Sequence, residues 1–207
     1  MKTVTILLTK YSDWFSVFLC KICRNTYSHA SISIDGNEEI FYSFNYKGFV
    51  IEKPKKYAPK TRMQGSMCIR MQVPESVHKK LETELERFVN NREMFSYSTL
   101  GVILCLLHIP HKFKNSYFCS QFVAELLSST GAAKLKKNES LYLPMHFVDR
   151  MECDHSAVQI VKNVICWQLH KATVWVKMRA MERNVLSLFI LLTIQKQFGN
   201  RIHIFLW

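Results

Sequence analysis

Residues 117–127 read YFCSQFVAELL, and this stretch decides the fold. Its large apolar residues recur at the spacing of one helix face: Phe118, Phe122, Val123, Leu126 and Leu127. We therefore predict a helix that begins at Cys119, runs to about Ser129 and stops at Gly131. Cys119 falls in the first turn, where free backbone N–H groups and the helix dipole favour an anion. A thiol at that position ionises readily and becomes a usable nucleophile.

A base for this thiol is expected ninety residues upstream, where residues 28–35 read SHASISID. Alternating aliphatic and small polar residues predict a half-buried strand that begins at His29. Asp35-Gly36-Asn37 is a turn signal, and residues 39–45 (EIFYSFN) predict the returning strand. In this hairpin Ser43 is expected close to His29, where it can orient the imidazole of a nucleophile–base pair.

The rest of the chain predicts further strands at residues 3–8, 49–51 and 67–73 and further helices at 13–24, after Pro74 and at 97–107. We read the fold as α+β: a small antiparallel sheet packed on the helix that carries Cys119. Residues 1–154 are expected to form this domain. Residues 155–207 are expected to be an apolar, basic C-terminal extension, with a strand at 174–176 and a helix at 180–194.

Charge and cysteine content restrict the class of partner and the compartment. The 207 residues carry a net charge of +12 and an isoelectric point near 9.4, which favours acidic partners such as anionic lipid or a cell-wall polymer. Nucleic acid is not expected, because few aromatic residues interleave the basic segment from Lys53 to Arg62. Seven irregularly spaced cysteines indicate a reducing compartment. With no signal peptide or membrane span in the sequence, a cytoplasmic protein is expected.

Metal binding has one weak signal. Cys20 and Cys23 have the spacing of half a zinc site, and His108 and His111 are the nearest candidates for the other half. The cysteines fall in an apolar helical stretch without glycine rather than in a knuckle-like turn, so no metal is expected. No glycine-rich phosphate loop is present either, and no cofactor is expected.

Three motifs together resemble the permuted branch of the NlpC-type papain-like cysteine peptidases, the YiiX-like group to which lecithin:retinol acyltransferase is related. They are YSHASI at 27–32, FYSF at 41–44 and YFCSQFV at 117–123. The histidine precedes the cysteine, which is the order of the permuted branch, and the resemblance covers roughly residues 3–150. It implies a permuted papain-like fold with Cys119 as nucleophile, His29 as base and Ser43 as orienting residue. It also suggests Tyr27 as a helper near the oxyanion. Serine departs from the Glu, Gln, Asn or His common at the orienting position.

The resemblance implies a cysteine hydrolase, an amidase or peptidase that cleaves an amide through a thioester acyl-enzyme. Its substrate would be a peptide, amide or acyl compound, such as a fragment of a cell-wall polymer. Two alternatives stay open. The apolar, basic tail favours a lipid-directed acyltransferase or thioesterase on the same fold, and the serine at position 43 favours a non-catalytic binding module that retains the fold.

Overall fold

A six-stranded antiparallel sheet lies at the centre of the computed structural model, which describes residues 1–11, 17, 20–21, 26–54, 63–149, 151–152 and 158–162. The strands of this sheet are β1 (Lys2–Tyr11), β2 (His29–Ser33), β3 (Phe41–Asn45), β4 (Gly48–Glu52), β5 (Met63–Val73) and β10 (Gln159–Lys162). Their spatial order is β10-β5-β1-β2-β3-β4. The first strand of the chain therefore lies inside the sheet, between β5 and β2.

Four α-helices belong to the described residues: α1 (Glu75–Asn90), α2 (Thr99–Leu106), α3 (Cys119–Thr130) and α4 (His146–Asp149). Short 3-10 helices occupy Arg92–Met94 and Glu139–Leu141. Two small pairings complete the description: β6 (Ser96–Tyr97) runs parallel to β7 (Ser116–Tyr117), and β8 (Lys134–Leu135) runs antiparallel to β9 (Met151–Glu152).

The main core lies between the sheet and α3. Phe122, Val123 and Leu127 of α3 pack with Ala30 and Ile32 of β2 in one buried cluster. The helix is buried on nearly all sides, and only its residues Glu125, Ser128 and Ser129 keep appreciable exposure. Burying most of a helix of 12 residues requires polar side chains to find partners. The Ser120 hydroxyl, for example, donates to the Tyr142 carbonyl at 2.6 Å.

The turn after β2 is held by one aspartate. The Asp35 carboxylate accepts from the backbone N–H of Glu38 at 2.9 Å and of Ile40 at 3.2 Å. Gly36 has a φ of 67° in this turn, a value that glycine adopts without strain. This turn directs β3 back beside β2, where Tyr42 pairs with Ile32.

The α+β class with an antiparallel sheet is confirmed, and each strand and helix that the sequence predicts within the described residues is present. The strand predicted at 3–8 extends over Lys2–Tyr11, and Gly131 ends α3 with a φ of 76°. Of the predicted helix at 13–24, residues 17, 20 and 21 are described and are helical. The strand predicted at 174–176 and the helix at 180–194 lie outside the described residues.

The chain divides into two units after residue 168, later than the boundary expected at residue 154. Two compact units are found, Met1–Gln168 and Leu169–Trp207, and every described residue belongs to the first. Strand β10 lies in that first unit and pairs with β5, with Ile160 opposite Ile69. The central sheet thus takes one strand from the region that the sequence analysis assigned to the extension.

Candidate active site

The cysteine of the candidate site is the first residue of α3. The preceding residue, Phe118, is extended, with φ −105° and ψ 162°, so the chain turns into the helix at Cys119. No side chain caps this end of the helix. The first-turn N–H groups and the helix dipole therefore act near the sulfur, which is 6% exposed.

The histidine is the first residue of β2 and is held in place by β1. His29 lies opposite Thr9 in the ladder. The residue before it is fixed from two sides: the Ser28 N–H donates to the Thr9 carbonyl at 3.0 Å, and the Tyr11 N–H donates to Ser28 Oγ at 3.3 Å. The His29 ring is buried, and Cys119 lies near enough for a hydrogen bond between the two side chains to shift the pKa of both. The structure therefore brings together the two residues that the sequence predicts as nucleophile and base.

A carboxylate completes the group. The Nε2 atom of His29 lies 3.0 Å from Oε1 and 3.2 Å from Oε2 of Glu52, the last residue of β4. Both side chains are mostly shielded from solvent, with 11% of His29 and 21% of Glu52 exposed. Because Nε2 is bound to Glu52, Nδ1 is the nitrogen that remains for the sulfur.

The electrostatics of the cysteine and histidine favour a charged pair. Burial by itself lowers the pKa of His29, but the charge of Glu52 and the hydrogen bonds to Cys119 and Glu52 raise that pKa well above its ordinary value. Burial by itself raises the pKa of Cys119, and the hydrogen bond and charge of His29 outweigh it. Together with the backbone groups of Ala30 and Ser120, they hold the pKa of the thiol below its ordinary value. The arrangement can therefore hold a thiolate beside an imidazolium.

Ser43 lies elsewhere than the sequence predicts. Its hydroxyl is fully buried and donates to the Ala30 carbonyl at 2.6 Å, a bond that ties β3 to β2. The carboxylate of Glu52 occupies the place beside the imidazole that we expected for Ser43. The physical reason is reach: a serine hydroxyl on the neighbouring strand meets the backbone, whereas the longer glutamate extends to the ring.

The tyrosine beside the site is not the one that the resemblance suggests. Tyr27 is buried in the main core cluster, and burial is the cause that raises the pKa of its phenol. Tyr11 instead lies edge-on to His29, with ring centroids 5.8 Å apart and planes at 64°. Burial raises the pKa of Tyr11, and His29, Glu52 and Cys119 all affect it. Tyr11 is thus the tyrosine beside the cysteine–histidine pair.

Sequence reasoning missed Glu52 and Tyr11 for the same reason. Each is the terminal residue of a strand, and its neighbours become visible only when the pairing of several strands is known. Glu52 carried one local signal, a carboxylate directly after the apolar run Phe49-Val50-Ile51. A charged residue directly after an apolar run is a reasonable candidate for a site, because a carboxylate that becomes shielded from solvent needs a partner.

The other charged clusters of the described residues have structural partners. Glu38 is buried against Arg70, whose Nη2 donates to Oε2 at 2.7 Å, and Thr5 donates to the same carboxylate at 3.0 Å. Lys112 forms ion pairs with Glu125 and Glu139 at 3.3 and 3.1 Å. Within the described ranges, no group of three or more His, Cys, Asp or Glu side chains is placed to hold a metal ion. Cys23 lies outside those ranges.

A surface cavity of about 320 Å³ lies between α1 and the C-terminal end of α3. Its lining comes from both helices: Lys79, Lys80, Thr83, Glu84, Ser129 and Thr130. None of the residues around Cys119 borders it. The chemistry of the cysteine and this cavity are therefore at different places.

No protein-family model matches the chain, and no curated protein matches it either. Among the helices of the described part, none combines the length and the apolar character that crossing a membrane requires. The function of the protein must therefore be inferred from the geometry around Cys119.

Proposed function

We propose that the protein is a cysteine hydrolase of the permuted papain-like type that cleaves an amide through a thioester acyl-enzyme. The observation that supports this proposal is the set of contacts made by the His29 side chain. The Nε2 atom of His29 lies 3.0 Å from the carboxylate of Glu52, and the imidazole is close enough to Cys119 for the two side chains to shift each other's pKa. A nucleophile, a base and a group that orients the base are the three parts that such catalysis needs.

The carboxylate also supports the family resemblance. A serine as orienting residue departs from the pattern Glu, Gln, Asn or His, and it cannot stabilise an imidazolium by charge. Glu52 fits that pattern and supplies the charge. The expectation of a non-catalytic binding module depends on the weak third residue, so Glu52 favours the hydrolase over it.

The proposed reaction follows from the positions of the groups. The Cys119 thiolate attacks the carbonyl carbon, and the carbonyl oxygen takes the negative charge. The imidazolium of His29 then gives its proton to the leaving nitrogen, the C–N bond breaks, and an amine departs from a thioester. Neutral His29 next takes a proton from water as the water oxygen attacks the thioester carbon. The C–S bond then breaks, the acid is released, and the thiolate and imidazolium are restored. Glu52 holds the ring and stabilises its positive charge in both steps.

The test uses p-nitrophenyl acetate as the acyl donor and the full chain as the enzyme. We expect rapid release of p-nitrophenol and an acetyl group on Cys119, located by mass spectrometry, because a thiolate attacks this ester readily. His29→Gln should slow the acetylation of Cys119 by about 100-fold or more, as removing a general base does.

The matched control is His111→Gln, which changes an exposed histidine outside the site and should leave the acetylation rate unchanged. Circular dichroism and urea unfolding establish that both variants are folded. If folded wild type is acetylated at Cys119 no faster than the His29→Gln variant, the proposed hydrolase is wrong and a binding module becomes the better reading.

A further inference from the structure

Tyr11 lies against the catalytic histidine of the proposed hydrolase. It is the last residue of β1, one step beyond an irregularity in the β1–β5 pairing between Lys10 and Tyr11. Its ring is edge-to-face with the imidazole of His29, with centroids 5.8 Å apart. It also packs on the buried cluster of Leu7, Phe41 and Cys68 on the sheet. The ring of Tyr11 therefore contacts this cluster as well as His29.

The charged and titratable groups around His29 come from three elements. Glu52 of β4 contacts Nε2, Cys119 of α3 hydrogen-bonds to the ring, and Tyr11 of β1 covers a further side. A carboxylate binds one nitrogen of the imidazole, and the sulfur lies near the other. The aromatic ring of Tyr11 can shield the part of the imidazole that these two groups leave exposed. His29 as a whole is 9% exposed.

An aromatic ring at this distance favours the protonated form of the histidine. A cation within about 6 Å of an aromatic centroid is attracted by the negative face of the ring. Excluding water also strengthens the attraction between an imidazolium and its anionic partners, because the local dielectric constant falls. Both effects come from the ring of Tyr11 and act on the imidazole of His29. Neither needs a hydrogen bond from the Tyr11 hydroxyl.

We propose that Tyr11 is a positioning residue whose aromatic ring holds the His29 imidazole in place and stabilises its protonated form. By doing so it keeps Cys119 as a thiolate near neutral pH. This inference rests on the proposed function for the identity of the pair, and it adds a fourth residue that neither the sequence motifs nor the triad includes.

The experiment measures the rate at which iodoacetamide alkylates Cys119 as a function of pH in the full chain. Only the thiolate reacts, so the midpoint of the profile reports the pKa of the thiol. Tyr11→Leu removes the aromatic ring but keeps most of the bulk. We expect its midpoint to rise by about half a unit to one unit, which is about a threefold to tenfold loss of rate below the midpoint.

Two further variants separate positioning from folding. Tyr11→Phe keeps the ring and should restore the profile relative to Tyr11→Leu. Tyr46→Leu changes a tyrosine that is 81% exposed and remote from these contacts, and it should behave as wild type. Urea unfolding of each variant checks that the compared proteins are folded.

The outcomes are distinct. A folded Tyr11→Leu variant with the wild-type midpoint overturns the inference, as does a Tyr11→Phe variant as impaired as Tyr11→Leu, since the hydroxyl would then be responsible. If wild type itself shows the ordinary midpoint of a free cysteine, near 8.5, the proposed function fails before Tyr11 is tested. The failure of the inference and the failure of the function are therefore separable.

Discussion

At the scale of single residues, the contact between Glu52 and His29 changes the chemistry that the sequence motifs suggest. A serine can accept a hydrogen bond from an imidazole, whereas a carboxylate also balances its positive charge. At 3.0 Å and with most of both side chains out of solvent, this is a charge-assisted hydrogen bond in a partly dry site. The raised pKa of His29 depends on it, and the lowered pKa of Cys119 depends in turn on His29.

A pair of substitutions tests which residue orients the imidazole. Glu52→Gln keeps the shape of the side chain but removes its charge, so the pKa of His29 should fall and that of Cys119 should rise. The midpoint of the alkylation profile of Cys119 should then move to higher pH by about one unit or more. Iodoacetamide labelling across a pH series measures the shift.

Ser43→Ala is the matched comparison for that experiment. It removes the hydroxyl that donates to the Ala30 carbonyl, so we expect a loss of about 1 kcal/mol in the free energy of unfolding. The alkylation profile should keep its wild-type midpoint. A large shift in Ser43→Ala together with none in Glu52→Gln would reverse our assignment of the orienting residue.

At the scale of elements, the β3–β4 hairpin determines where Glu52 lies. Gly48 begins β4 with a φ of 97°, and a Cβ atom added there would lie 2.6 Å from the Phe95 carbonyl oxygen. Only glycine fits this close approach between the turn and the segment after the 3-10 helix at Arg92–Met94. The path of β4, and with it the carboxylate at the end of that strand, depends on this position.

Gly48→Ala should therefore weaken both the fold and the site. We expect a loss of about 1–3 kcal/mol in the free energy of unfolding, because both the backbone conformation and the contact with Phe95 become strained. Urea titration followed by circular dichroism measures the loss. Alkylation of Cys119 should also slow near neutral pH as Glu52 moves from His29.

Gly65→Ala is the control, because Gly65 lies in β5, its φ is outside the positive range, and an added Cβ would meet nothing within 4 Å. We expect its stability to equal or slightly exceed that of wild type. Equal stabilities for Gly48→Ala and Gly65→Ala would contradict the role given to the hairpin.

Elements are also the scale at which the sequence was most informative. The alternation from Ala30 to Ile34 and the helical stripe from Phe118 to Leu127 are local patterns, and local patterns predict strands and helices well. The positions of Cys119 and His29 were predictable because each opens its own element, and their proximity was expected from the resemblance to the permuted papain-like peptidases. Glu52 and Tyr11 were not predictable, because their place beside His29 depends on how β1, β2, β3 and β4 pair, which no short stretch encodes.

At the scale of the whole molecule, the ion pair of the site links stability to pH. The folded pKa of His29 lies above the unfolded value, which is about 6.5. The stabilisation from this group is therefore fully present below about pH 6.5, and it is lost as the pH rises through the folded pKa. Cys119 has the opposite sign, because its folded pKa is lowered, so the thiol must be removed to isolate the histidine.

The matching experiment compares Cys119→Ala with the double variant Cys119→Ala, Glu52→Gln. At about pH 6 the second substitution should cost about 1–3 kcal/mol in the free energy of unfolding, since it leaves a buried imidazolium without its partner. At a second pH above the folded pKa of His29, where the ring is neutral, the cost should be clearly smaller. Urea titrations of the two proteins at both pH values give the comparison.

A cost that is the same at both pH values would show that Glu52 acts only through packing or through a neutral hydrogen bond. Neither substitution lies in the β1–β5 or β1–β2 ladder of the central sheet.

The interior position of β1 has a consequence for how the protein is made. This strand is synthesised before the other described strands, yet one of its neighbours, β5, emerges some sixty residues later, and the helix with the cysteine emerges later still. Pairings so distant in sequence form slowly. The ribosome adds Tyr11, His29 and Glu52 well before Cys119. The cysteine can therefore contact them only after most of the sheet has been synthesised. The lowered pKa of Cys119 depends on His29, so it arises only when the helix and the sheet have folded together.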